Sequence, residues 1–127
     1  MIRLPEDMRA QLLANGQTCN VDHVPVLKLF NPVGAATWLA TELAPDGDTL
    51  FGLADLGFGC PELGFFSLSE LSSIRLPHRM GIERDILFEG RFALSVYAEA
   101  ARRQGAITEI DHLLRAAQAY LRDHRRT

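Results

Sequence analysis

The sequence is poor in residues that staple a chain together or anchor it to a membrane. It has two cysteines, Cys19 and Cys60, one tryptophan and, among thirteen basic residues, a single lysine. Two distant cysteines exclude a dense disulfide framework, and free thiols are expected. Cys19 and His23 form one pair of metal-ligating types, with Cys60 or His78 to complete a set. Structural zinc sites draw on two close pairs, so no metal is expected. No apolar run approaches the roughly 20 residues that a membrane-spanning helix needs. The start, Met1-Ile2-Arg3-Leu4-Pro5-Glu6-Asp7, is too acidic and too broken for a signal peptide. A cytoplasmic protein without a membrane partner is the expectation.

Signatures of catalysis are also missing. No serine lies in a nucleophile-elbow pattern, and His78, His112 and His124 have no local nucleophile motif. Gly57-Phe58-Gly59 has the look of a phosphate loop without a Walker sequence or a following helix, and reads as a strand connection. No catalytic residue and no cofactor follow from spacing.

What the chain has is a globular balance. Its 127 residues, 47% hydrophobic and 23% charged, suit one domain, 1–127, with a sizeable core. The net charge of −3 divides unevenly, with six basic and twelve acidic residues over 1–90 against seven and four over 91–127. Parts of opposite sign attract each other or different partners.

Pro5 at a first helical position, acids behind it, and Met8, Leu12 and Leu13 at helical spacing predict a helix over 5–14, stopped by Asn15-Gly16. Branched residues over 24–30 predict a strand, and further strands are expected over 37–43, 49–55 and 63–67, with an extended segment over 82–88. Pro45-Asp46-Gly47-Asp48 is the clearest turn. With Asp46 and Gly47 at its tip, Trp38 would oppose Asp55, Ala40 would oppose Leu53 and Glu42 would oppose Phe51, placing Trp38, Phe51 and Leu53 on one face. Ser67 or Ser69 caps a short helical turn through Leu71. From Ala93 the period becomes helical, with Leu94, Tyr97, Ala98 and Ala101 ending at Gly105. Thr108 and Asp111 resemble a capping box ahead of a stripe of Ile107, Ile110, Leu113, Leu114, Ala117 and Leu121. The expected fold is α+β: an antiparallel sheet of four to five strands, covered by an N-terminal helix and a C-terminal helical hairpin over 91–127 that packs on it or stands as an appendage.

Leu12-Leu13-Ala14-Asn15-Gly16, Thr37-Trp38-Leu39-Ala40-Thr41-Glu42, Phe51-Gly52-Leu53-Ala54-Asp55, Glu62 to Leu71 and Ile82-Glu83-Arg84-Asp85, in this order, resemble a bacterial family known as domain of unknown function 2958. The resemblance spans about residues 12–89 and continues toward the helix at Leu94. It departs from the family at Phe65, where the family often has tyrosine, and in the last helix. It implies a bacterial protein associated with plasmids or other mobile elements, and no reaction.

The acids Glu42, Asp55, Glu62, Glu70, Glu83 and Asp85 have oxygen ligands for a hard cation but none of the spacing of a metal loop, and read as a solvated rim. Trp38, Glu42, Asp55 and Glu70 would be the centre of a small-ligand site or a metal-dependent enzyme. Arg84, alternating with Glu83 and Asp85, reads as a structural ion pair or a ligand anchor. Phe65 and Phe66 are adjacent and face opposite sides of a strand, so an exposed member would mark a binding surface. Arg115, Arg122, Arg125 and Arg126 line the polar face of the last helix, solvated or set against nucleic-acid phosphates or an acidic protein patch. The leading expectation is a non-enzymatic binding or regulatory module whose partner is another protein or a second copy of the chain. A nucleic-acid-binding accessory protein and an enzyme are the alternatives.

Overall fold

Apolar residues stand at both odd and even positions of the central strands, so the sheet they form requires cover on both faces. The computed structural model describes residues 1–18 and 20–124. Strands β1 (Leu27–Phe30), β2 (Thr37–Leu43), β3 (Thr49–Asp55), β4 (Glu62–Ser67) and β5 (Glu83–Arg84) form one antiparallel sheet of order β4-β3-β2-β1-β5. One face lies under α1 (Glu6–Gly16) and α2 (Leu68–Ser73), where Leu12, Leu27, Leu29, Trp38, Leu43, Leu50, Leu68 and Leu71 make one core. The other lies under α3 (Leu94–Gln104) and α4 (Asp111–His124), where Leu39 and Leu53 join Tyr97, Ala101, Leu114 and Ala117 in a second. The α+β fold expected from short strands between tight turns is the one adopted, and the C-terminal helices share their core with the sheet.

The Asp46-Gly47 turn forms as expected: the Asp46 carboxylate accepts from the amides of Asp48 and Thr49, and Glu42 faces Phe51. Beyond that pair the predicted register fails. The register shifts between Ala40 and Glu42, where Thr41 is the extra residue of a β-bulge, so Ala40 meets Gly52, Leu39 meets Leu53 and Trp38 meets Ala54. The shift moves Trp38 to the α1 face, while Phe51 and Leu53 stay on the α3 face. Gly52 permits this, since a Cβ there would stand 1.8 Å from the Leu39 carbonyl oxygen.

Four other expectations are corrected. α1 runs through Asn15-Gly16, because Asn15 turns inward to donate to the Thr41 carbonyl at 2.9 Å and Gly16 allows close approach to Leu43. β1 begins at Leu27, two residues after Pro25. β5 has only two residues, because Asp85 turns the chain by accepting the Leu87 amide on its carboxylate and the Phe88 amide on its carbonyl. Thr108 accepts from the Ile110 amide rather than closing a capping box, and α4 starts at Asp111.

Candidate functional site

The residues singled out as a ligand centre do not converge. Trp38 is 5% exposed within the α1-face core, and Glu42 is on the opposite face beside Phe51. Asp55, 3% exposed, ends β3 with both carboxylate oxygens engaged by the amides of Gly57 at 2.9 Å and Ile107 at 3.0 Å. It ties the strand to the α3–α4 connection. Glu70 is exposed on α2, where its amide donates to the capping Ser67 hydroxyl. Three surface cavities of about 400, 430 and 190 Å³ are lined by other residues. Among the described residues no group of three His, Cys, Asp or Glu side chains is placed to hold a metal ion, and Cys60 is an exposed free thiol.

Arg84 is half-buried opposite Leu29, and among the described residues it forms no ion pair. Of the arginine stripe, Arg115 is bound to Asp111 at 2.6 Å and Arg122 is exposed, while Arg125 and Arg126 lie outside the described residues. Asp111 also holds Arg91 at 2.9 Å, and the Arg115 bond, then the charges of Arg115 and Arg91, keep its carboxyl below the usual carboxylate range against the opposing effect of desolvation. The stripe is therefore partly neutralised within the protein.

The structure instead draws attention to β4. It is an edge strand of six residues, paired with β3 along its length without a register shift, and its other edge has no strand beside it among the described residues. Across the α3 face, the row Leu39, Leu53, Leu63 is 0%, 1% and 51% exposed. The helices cover β2 and β3 and leave β4 open. One row along, Phe65 is 75% exposed, its ring 5.1 Å from that of Phe51. Phe66, its neighbour, packs on the α1-face core, so the adjacent pair divides as expected into one inner and one outer ring. The β3–β4 loop adds Leu56 and Phe58, 56% and 83% exposed. Sheet edges are ordinarily guarded by lysine, proline, a bulge or a very short strand. β5, at the other edge, is very short; β4 has no lysine and no bulge, and its one charge, Glu62 after Pro61, stands at its first residue and leaves residues 63–67 open.

Two polar hubs, one at this edge and one toward the opposite edge of the sheet, tie the elements together, and neither is legible in residue spacing. Asp48 accepts the Ser67 hydroxyl at 2.6 Å and the Ser69 amide at 2.7 Å, pinning the β2–β3 turn to the end of β4 and the start of α2. Those bonds, from the Ser67 hydroxyl first, hold its carboxyl below the usual range. Lys28 on β1 reaches Glu109 at 2.5 Å and Asp85 at 3.3 Å. Burial would depress its ammonium, but the bonds and charges of Glu109 and Asp85 outweigh this and raise it above the ordinary lysine value.

Neither the curated proteins nor the solved structures contain a match to the chain. The family described as protein of unknown function (DUF2958) matches residues 3–108, which include α1, the whole sheet, α2 and α3. The resemblance seen in five separated segments thus extends over most of the chain, and the protein belongs to the DUF2958 family.

Proposed function

We propose that this protein is a non-catalytic binding module that captures an extended polypeptide along β4. The observation that carries this reading is the open six-residue edge with Phe65 75% exposed beside it. Unpaired amides and carbonyls along a sheet edge supply main-chain hydrogen bonds to an added strand, and exposed side chains on alternate positions select it. Leu63 and Phe65 are those alternate positions here. Exposed aromatic side chains contribute strongly to protein contacts because they offer large rigid surfaces at low entropic cost. The setting implied by the family resemblance, a bacterium and a plasmid or other mobile element, suits a small regulatory module that acts by contact. Nucleic-acid binding finds less support, since Arg115 is engaged by Asp111.

Photo-crosslinking in cells tests this. A benzophenone side chain at Phe65 is expected to form a discrete protein adduct, whereas the same group at Ile86, 74% exposed near the opposite edge, is not. Equal or absent adducts at the two positions overturn the reading.

A further inference from the structure

We propose that the strand captured by β4 is β4 of a second copy, paired antiparallel about a two-fold axis at Gly64, so that two five-stranded sheets become one continuous sheet. The inference rests on the binding role assigned to β4 above and names its occupant. An isologous contact uses one patch twice, so the patch must complement itself. With the axis at Gly64, Leu63 of each copy falls opposite Phe65 of the other, and Glu62 falls opposite Phe66. Residues two apart share a face, and Leu63 and Phe65 both stand on the α3 face, opposite Leu53 and Phe51. The pairing therefore joins two apolar pairs on the exposed side. Cross-strand pairs of an aromatic and an aliphatic side chain are the stabilising unit of a sheet.

Sterics and charge agree. A Cβ at Gly64 would meet nothing within 4 Å, so the sheet face has room for a side chain at the centre of the contact. Glu62 is the one charged residue of β4. In this register the two Glu62 side chains lie four residues apart along the strand direction, about 14 Å, well beyond the roughly 8 Å screening length at physiological salt. An acidic partner segment would find no basic counter-charge among Leu56, Phe58, Leu63 and Phe65. Among the described residues the sheet's other edge, β5, has two residues, Glu83 and Arg84, and is too short to serve. A six-residue contact of this kind is smaller than a standard interface of about 800 Å² per partner, so association is expected at micromolar rather than nanomolar concentration.

Sedimentation equilibrium of the full chain tests this. The wild-type mass should rise with concentration from 14.1 kDa toward twice that value, while Phe65→Lys should stay at 14.1 kDa with an unchanged circular dichroism spectrum. Register is tested with Cys19 and Cys60 replaced by serine. Gly64→Cys should oxidise to a disulfide-linked dimer, since directly opposed residues are about 4.5–5.5 Å apart, within disulfide reach. Leu63→Cys, one residue off the axis, should not, because its two copies stand two residues apart along the strands and so about 7–8 Å away from each other. A wild-type chain that stays monomeric, a dimer indifferent to Phe65→Lys, or equal crosslinking at 63 and 64 overturns the inference. If the chain is monomeric while the Phe65 benzophenone captures a different protein, the second copy is refuted and the binding role stands. If neither association occurs, both fall.

Discussion

Asp55 stands at the end of β3 with one carboxylate oxygen on the Gly57 amide and the other on the Ile107 amide. Its value as an acid could be read from the sequence; its partner 52 residues away could not, because the bond depends on α3 and α4 folding back over the sheet. Leaving two partly buried amides without an acceptor costs about 1–3 kcal/mol. Asp55→Ala should lose about that much stability in urea denaturation, and Asp55→Asn, which keeps one acceptor oxygen, distinctly less. Equal losses would show that the carboxylate acts by charge rather than by these two bonds. Phe65 and Phe66 were more legible: adjacency in a strand requires opposite faces, and the structure only had to decide which face was left open.

At the scale of elements, Asp46 closes the β2–β3 turn and Asp48 joins that turn to the start of α2. Asp46 lies below the ordinary carboxylate range because of the Thr49 and Asp48 amides and the Thr49 hydroxyl. Asp48 lies below it because of the Ser67 hydroxyl and the Ser69 amide and hydroxyl. A carboxyl whose value is depressed in the folded state contributes stability above its unfolded value, near 3.8, and loses that contribution as pH falls through the folded value. Amide exchange at Thr49 and Ser69 is therefore expected to quicken below about pH 4 before the rest of the sheet opens. In Asp48→Asn the acid response of the Ser69 amide should be largely gone. A Ser69 response unchanged in this variant would mean that another group controls the attachment. The β2–β3 hairpin shows how far local rules reach. The turn chemistry placed Glu42 opposite Phe51, but the bulge at Thr41 answers to packing on both faces and reversed every residue beyond it.

For the whole molecule, the sheet is shared by two cores, one of them built with α3 and α4. Leu114 of α4 is fully buried in the same cluster as Leu39 and Leu53. Leu114→Ala should cost about 2–5 kcal/mol. Trp38, the single tryptophan, sits on the far side of the sheet and reports on the other core. If the chain is one cooperative unit, fluorescence of Trp38 and far-ultraviolet circular dichroism will shift together in this variant, with coincident denaturation midpoints. Loss of helical signal at a lower denaturant concentration than the Trp38 transition would show that α3 and α4 unfold by themselves.

Periodicity, turn residues and caps are properties of neighbours along the chain, and the sequence by itself determined what they govern: where the helices and most strands lie, the Asp46-Gly47 reversal, the Ser67 cap and the antiparallel character of the sheet. Strand order, the Thr41 bulge, the bonds of Asp48, Asp55 and Lys28, and the open edge at β4 came only from the tertiary structure. Each depends on which distant segments meet and which faces the helices can cover. An edge is defined by the strand that is absent beside it, and no local pattern records that.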